Sequence, residues 1–437
     1  MSDDELISGV LVIYRHPLGA SEPTILEHVE AFEKYSRFPV WNVNTELGFP
    51  KVLGSLRFKC IVLHYSLFGS YPFGIDREFW TYLKSSHNSV IIAFFQDEMQ
   101  YCGPRFQLID QINVRCIYSL LDPSECEKIY LENTRCGRIR HTLTGYVDDD
   151  FVKLARKIEK PFAERTVDIG YRTRRLPFHF GRGAQEKTDI AEGAMARLNG
   201  SNLVLDIKTG TEHRIHGTDW YKFVANCRGM LGVEAGVSIF DLDGQVRTEC
   251  DRVLKRRPEI DFKEMSRLVL QRYENNVYYR TISPRIFESA ALRVCMILFE
   301  GRYNDLLEPM VHYIPLKKDF SNFEWVLDVF TNPVERDRIT EVAYSDLISS
   351  GRVSYRRFIA AIDQELAQFG LSAVLPVEKR RAVSELLDRA QIEQTGKAER
   401  RAGARRIAKQ CIPNAAPFQK IVSSMRSWIE SRRWRNV

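Results

Sequence analysis

The sequence predicts an α/β protein with two doubly wound parallel sheets in tandem and a helical extension after them. Three observations predict this. The first third alternates short apolar runs with amphipathic stretches, a second series of the same kind follows a charged break, and beyond about Val334 the apolar runs stop. Strand, helix, strand in that rhythm makes a parallel sheet with right-handed crossovers. At 437 residues the chain is too long for one ordinary core. Its 44% hydrophobic and 27% charged residues are those of a globular protein rather than a disordered one.

Taken in order, GVLVIYRH, KCIVLHYS, SVIIAFFQDE and RCIYSLLD read as strands. TILEHVEAFEKYS, DREFWTYLKSS, PRFQLIDQI and SECEKIYLEN read as the helices between and after them. The charged helix FVKLARKIEKPF closes this first unit, placed at residues 1–160. The second unit, 161–334, opens with the strand VDIGYRTRR, the glycine-containing HFGRGAQEK and a helix in TDIAEGAMARL. NLVLDIKTG follows as a strand, DWYKFVANCRGM as helix, GVSIFDLDG as strand, and a long charged helix spans about Pro258 to Glu274. SPRIFESAALR is a helix, and VCMILFE and HYIPL are the last strands. Residues 335–437 form the third part, helical and polar.

The acidic N-terminal stretch lacks the basic flank and long apolar core of a secretory signal, and no run approaches the length of a membrane span. Nine scattered cysteines, none in a C-x-x-C pair, suit reduced thiols in the cytoplasm and argue against structural zinc. The net charge of +6 is uneven: the segment from Val377 onward carries roughly nine positive charges in excess, leaving the body slightly acidic.

In open α/β sheets ligands bind beyond the carboxyl ends of the strands. In HFGRGAQEK, Gly181 and Gly183 permit a tight turn and close approach, while Arg182 and Lys187 supply two cations. With a helix beginning near Thr188 or Asp189, the loop would add a helix N-terminus to the attraction for a diphosphate. The plain alternative is a charged turn joining strand to helix. Ser283 reads as an N-cap with Pro284 at the first helical position, which puts Arg285 and Glu288 on one face near the N-terminus. Glu288 can accept hydrogen bonds from sugar hydroxyls, or it completes a capping box or pairs with Arg285. Asp241 and Asp243 form a D-x-D, better explained as an ordinary turn. His64, His141 and His312 have no metal spacing and read as packed residues.

These pieces, in this order, resemble a GT-B glycosyltransferase over roughly residues 8–330. They are most similar to the retaining enzymes of family 4 and to the spore-maturation-like (CgeB-like) group. HPLGASEPTILEHVEAF resembles the first glycine-containing loop and helix, and CIVLHYS, IIAFFQDE and CIYSLLDPSECEKIY the strand ends that follow. TLTGYVDDDF resembles the segment closing the first domain, FGRGAQEK the donor-diphosphate loop, and SPRIFESAALR the helix whose glutamate holds the nucleotide ribose. The resemblance implies two Rossmann-like domains facing a cleft, an acceptor domain and then a donor domain. It implies that Arg182 and Lys187 hold the phosphates, that Arg285 assists them and that Glu288 binds the ribose. It also implies that protein charge replaces a metal, so no cofactor is required. The chain departs from the family where the first of two glutamates with seven residues between them is matched by Arg280, with Glu234, Gly236 or Ser238 as candidate substitutes. It departs again where a His-Asp pair is matched by Gln96-Asp97, with Glu98 beside it. Asp97 would orient or deprotonate an acceptor hydroxyl, or else Asp97 and Glu98 cap the next helix.

The expected function is therefore metal-independent transfer of a sugar, with retention, from a nucleotide-diphosphate sugar to a glycan or lipid-linked acceptor. The alternatives are an epimerase of nucleotide sugars on the same fold and a non-catalytic binding protein. In the basic tail, Ile421, Trp428, Ile429 and Trp434 interleave with arginines and suit a fold-back onto the domains or contact with an anionic membrane face. Nucleic acid is the least favoured partner.

Overall fold

A computed structural model describes residues 6–20 and 23–411. The first sheet comprises β1 (Ile7–Tyr14), β2 (Val40–Asn44), β3 (Phe58–Leu63), β4 (Val90–Phe94), β5 (Cys116–Ser119) and β6 (Ile139–His141). Its strands are parallel, in the order β2-β1-β3-β4-β5-β6. The central strands are apolar on both faces because helices cover both, and Val10, Ile61 and Ile92 are wholly buried. VWNVN and IRH, the edge strands β2 and β6, carry too few apolar residues to announce themselves.

The second sheet comprises β7 (Val167–Thr173), β8 (Leu205–Thr209) and β9 (Cys227–Gly232), then, beyond a small antiparallel ribbon of β10 (Ala235–Val237) and β11 (Tyr279–Thr281), β12 (Cys295–Phe299) and β13 (Ile314–Leu316). Its order is β13-β12-β9-β7-β8. The α/β architecture of two doubly wound sheets facing a cleft, followed by helices, is thus the one expected. Three local expectations are corrected. CRGM is not the end of a helix: the helix Gly217–Ala225 stops before it, and β9 is the middle strand of the sheet. Gly229 is required there, because a Cβ would lie 2.8 Å from the Phe330 ring. GVSIFDLDG forms only the short β10 before turning, and the stretch from about Pro258 to Glu274 holds the short helix Phe262–Leu268 and a 3-10 turn at Leu270–Arg272 rather than one long helix.

The C-terminal helices do not stand apart. Helices Phe323–Thr331 and Pro333–Ala343 pack on the second sheet through Phe323, Val326, Phe330 and Ile339. The chain then crosses back: Val147 N–H donates to the Val353 carbonyl at 2.8 Å, and Tyr355 N–H to that of Val147 at 3.0 Å. Helix Tyr355–Gln368 buries Tyr355, Phe358, Ile359 and Ile362 against Val10, Val12 and Phe94 of the first sheet. Each such side chain contributes about 1.5–3 kcal/mol. Helix Val377–Cys411 begins on the same half, where the Trp41 indole donates to Ser384 Oγ at 3.0 Å. These residues complete the core of the first half; Ile421, Trp428, Ile429 and Trp434, for which fold-back or membrane contact is expected, lie outside the described residues. Among the described residues no helix is long and apolar enough to cross a membrane.

On one side the halves are joined by an apolar seam. Phe180, Ala184, Phe240 and Tyr279 of the second half share one buried cluster with Phe95 and Met99 of the first. On the other side a groove is left.

Candidate functional site

The groove is a series of connected cavities along the carboxyl edge of the second sheet. A cavity of about 310 Å³ is lined by Arg172, Arg174 and Lys187. It shares Arg214, Ser283 and Arg285 with a cavity of about 180 Å³. That one shares Thr24, Tyr221 and Glu288 with a small pocket that reaches Glu27 in the first half. The groove thus runs from a cationic end to a carboxylate end.

The cationic end is built differently from the expectation. Helix Arg182–Arg197 begins at Arg182, not near Thr188, so Lys187 sits in its second turn rather than in a loop. Five residues along a helix turn a side chain by roughly 140°. Arg182 and Lys187 accordingly face different ways and do not converge on one site. The Arg182 side chain is 64% exposed and pairs with Asp189 at 3.2 Å. The first amides of this helix are also occupied: Arg182 N–H donates to Glu274 at 2.7 Å and Gly183 N–H to Ser238 Oγ at 2.8 Å. The glycines serve this packing. Gly181 has φ +78°, and a Cβ there would fall 2.5 Å from Ser238 Oγ, while one on Gly183 would fall 2.2 Å from Arg280 Nη1.

What gathers around Lys187 instead is arginine. Burial pulls its ammonium down to about 8, Arg285, Arg280 and Arg174 press the same way, and Asp97 opposes them. A half-buried ammonium among three guanidinium groups is short of negative charge. Arg172, which lines the same cavity, is locked in place, donating to the Asp206 carboxylate at 2.8 Å and lying 4.3 Å from the centre of the Phe223 ring. Arg172 and Arg174 were missed in the sequence. They stand in YRTRR at the end of β7, the position from which open sheets present ligand-binding residues, and the neighbouring glycines drew attention away from them.

At the other end Ser283 caps helix Pro284–Ala291 with its backbone, and its hydroxyl makes no capping bond. Arg285 donates to the Arg172 carbonyl and lies 4.8 Å from the centre of the Trp220 ring, which ties the helix to the cationic end. Glu288 neither completes a capping box nor forms an ion pair with Arg285. One oxygen accepts the Trp220 indole N–H at 2.6 Å, and burial raises the pKa against that bond and the Arg285 charge.

In the first half Asp97 and Glu98 part company, and neither caps the next helix, whose N-cap is Tyr101. Asp97 is exposed at φ +51° and its charge is felt at Lys187. Glu98 is fully buried and accepts from Ser119 Oγ and Leu120 N–H, both at 2.7 Å, and from the Tyr130 hydroxyl. It is held inside the fold. Arg280, 9% exposed, pairs with Glu186 and, at 3.6 Å, with Glu234, so Glu234 neutralises Arg280 instead of replacing the missing glutamate. Asp241 accepts Arg247 N–H at 2.9 Å and Asp243 accepts Gln245 N–H at 2.9 Å, as a turn requires. His64 bonds His28 at 3.1 Å, and His312 accepts Glu308 N–H at 2.9 Å. Among the described residues no group of three or more histidine, cysteine or acidic side chains could hold a metal.

No family model matches the chain, and no curated protein matches it. Solved structures do. The structure of Anabaena Alr3699/HepE in complex with UDP and glucose aligns over 82% of this chain and 99% of its own, at 10% identity and a TM-score of 0.44. Sucrose-phosphate synthase from Thermosynechococcus elongatus aligns over 83% and 100%, at 12% identity and a TM-score of 0.46. An α-glucosyltransferase in complex with UDP and a 13-mer DNA aligns over 82% and 98%, at 10% identity and a TM-score of 0.45.

Proposed function

We propose that the chain is a glycosyltransferase that takes a sugar from a nucleoside-diphosphate sugar held in the groove. The observation that carries this is the arrangement of charge: Lys187 with Arg174 and Arg285 at one end, and a half-satisfied Glu288 at the other. A diphosphate supplies the negative charge that the first end lacks, and sugar hydroxyls supply donors for the second. In this reading the bond between the anomeric carbon and the diphosphate oxygen breaks with its electron pair leaving on the diphosphate, the acceptor oxygen forms a new bond to the same carbon, and the acceptor's proton passes to the departing diphosphate oxygen. Fixed cations stabilise that growing charge without reorganising, so no metal is needed. The acceptor, a glycan or lipid-linked hydroxyl, would enter beside Asp97, which orients it, and transfer would retain the anomeric configuration. Such retaining chemistry asks mainly for positioning.

The test is a thermal-shift series of nucleoside diphosphates with EDTA present, on the wild type and on Lys187→Ala. A ligand at a hundredfold its dissociation constant adds about 2.7 kcal/mol, enough to raise the melting point by several degrees. At least one diphosphate should stabilise the wild type and fail to stabilise the variant. Stabilisation of neither, or of both equally, rejects the reading.

A further inference from the structure

The carboxyl edge of the second sheet carries a further cavity, of about 690 Å³, that the groove does not use. Helix Arg182–Arg197 stands between the two: Lys187 lines the groove, and the residue before it, Glu186, lines the cavity. Glu234 stands just past β9, Glu300 and Arg302 just past β12, and Lys318 just past β13, and all four line this space. Open sheets bind their ligands at this edge, and the volume lies within the roughly 300–1,000 Å³ of small-ligand sites.

Its walls are charged but balanced from within. Glu186 sits between the Arg280 guanidinium and the Lys318 ammonium, the latter at 2.7 Å. Glu234 lies 3.6 Å from Arg280 Nε and accepts the Tyr303 N–H at 2.8 Å, and Arg302 is held by Asp122 of the first half at 3.0 Å. An anion would find these cations engaged, and a cation would find Glu186 and Glu234 engaged in turn. Nor is there a group of three acidic side chains fit for a metal among the described residues.

What the walls keep open is hydrogen bonding of both kinds. The Arg280 side chain is 9% exposed, and its Nη1 has no acceptor among the described residues. Lys318 has ammonium protons beyond the one given to Glu186, while Glu300 is an exposed acceptor. A hydroxyl both donates and accepts, so a row of hydroxyls matches this mixture where a net charge of either sign does not. Tyr278, with the Arg302 guanidinium 5.4 Å from its ring centre, adds an aromatic surface for the C–H face of a sugar.

We propose that this cavity is a carbohydrate-binding site for a neutral oligosaccharide, separate from the groove and filled whether or not a nucleotide is bound. It does not depend on the donor reading above.

The experiment is a ligand-observed NMR titration of the full chain with trisaccharides of glucose, of mannose and of N-acetylglucosamine, with trigalacturonate as the anionic probe and spermidine as the cationic one. It is run on the wild type, Glu300→Ala, Tyr278→Ala and Lys187→Ala, each checked for an unchanged melting point. At least one neutral trisaccharide should bind the wild type more tightly than either charged probe. Glu300→Ala and Tyr278→Ala should each weaken it by about fivefold, the net worth of one hydrogen bond. Lys187→Ala and saturating inorganic diphosphate should leave it unchanged. The inference falls if no neutral trisaccharide binds, if a charged probe binds more tightly, if the two cavity variants bind as the wild type does, or if Lys187→Ala or diphosphate abolishes binding. None of these outcomes decides the donor reading, which rests on nucleotide binding alone.

Discussion

At the carboxyl edge of the first sheet, polar side chains turn inward: Glu98 collects three donors, Asn44 exchanges two hydrogen bonds with the His16 backbone, and His64 lies between Ser66 and His28. At the same edge of the second sheet Lys187, Arg174, Ser283 and Glu288 are gathered along a groove. The two edges share a topology and differ in where their hydrogen-bonding capacity goes. An edge whose polar groups satisfy one another contributes stability, and an edge whose charges are left short of partners is prepared for a ligand.

That contrast breaks most directly at Glu98. Glu98→Ala leaves Ser119, Leu120 N–H and Tyr130 without their buried acceptor. Unmet donors cost about 1–3 kcal/mol each, partly offset because a buried carboxylate no longer has to be ionised, so a net loss of about 3 kcal/mol is expected in urea unfolding. Nucleotide affinity of the folded variant should change by less than about threefold, under 0.7 kcal/mol. A large loss of affinity with unchanged stability would mean that Glu98 serves binding rather than the fold.

A medium effect should appear in the pH dependence at Lys187. Its pKa is lowered to about 8, so the folded protein releases this proton where the unfolded chain, near the ordinary 10.5, still holds it. Between those values stability contributed by this group rises with pH, because the unfolded state binds more protons. Ligand binding runs the other way. A bound anion restores the proton, so affinity for inorganic diphosphate should be level just below pH 8 and fall by up to about tenfold per unit above it. Lys187→Arg should flatten that decline, since a guanidinium stays charged throughout. A slope identical in wild type and Lys187→Arg would place the anion elsewhere.

Much of this was legible in the sequence, and the failures have physical causes. Long apolar runs such as VLVIY and VCMILF marked strands buried on both faces. CRGMLG did not, because the middle strand of the second sheet uses a glycine where Phe330 packs and an arginine that pairs with Asp168. SPRIFE marked a helix start and Glu288 correctly as neighbours, but the Trp220 partner is 68 residues away and belongs to tertiary structure. The largest misreading was HFGRGAQEK. Its spacing of cations is informative only if the segment is a loop, and nothing local showed that the helix would begin at Arg182 with its free amides already taken by Ser238 and Glu274.

The smallest effect should come from Arg182, and it discriminates most finely between a role inferred from spacing and one inferred from placement. Arg182 lines the separate cavity, with Glu186, Glu234, Glu274, Arg280, Arg302 and Lys318, and its guanidinium pairs with Asp189. An exposed pair such as Arg182–Asp189 is worth about 0–1 kcal/mol. Arg182→Ala should therefore shift stability by no more than that and diphosphate affinity by less than about threefold, or 0.7 kcal/mol. Lys187→Ala in the same assay should lose about a hundredfold, the 2–3 kcal/mol of a charge-assisted contact in a partly desolvated site. If the two variants instead lose affinity equally, the helix must turn or unwind at Gly183 when the diphosphate arrives. The first amides would then leave Ser238 and Glu274 for the ligand, and the same glycines that now pack against Ser238 and Arg280 would be what allows the change.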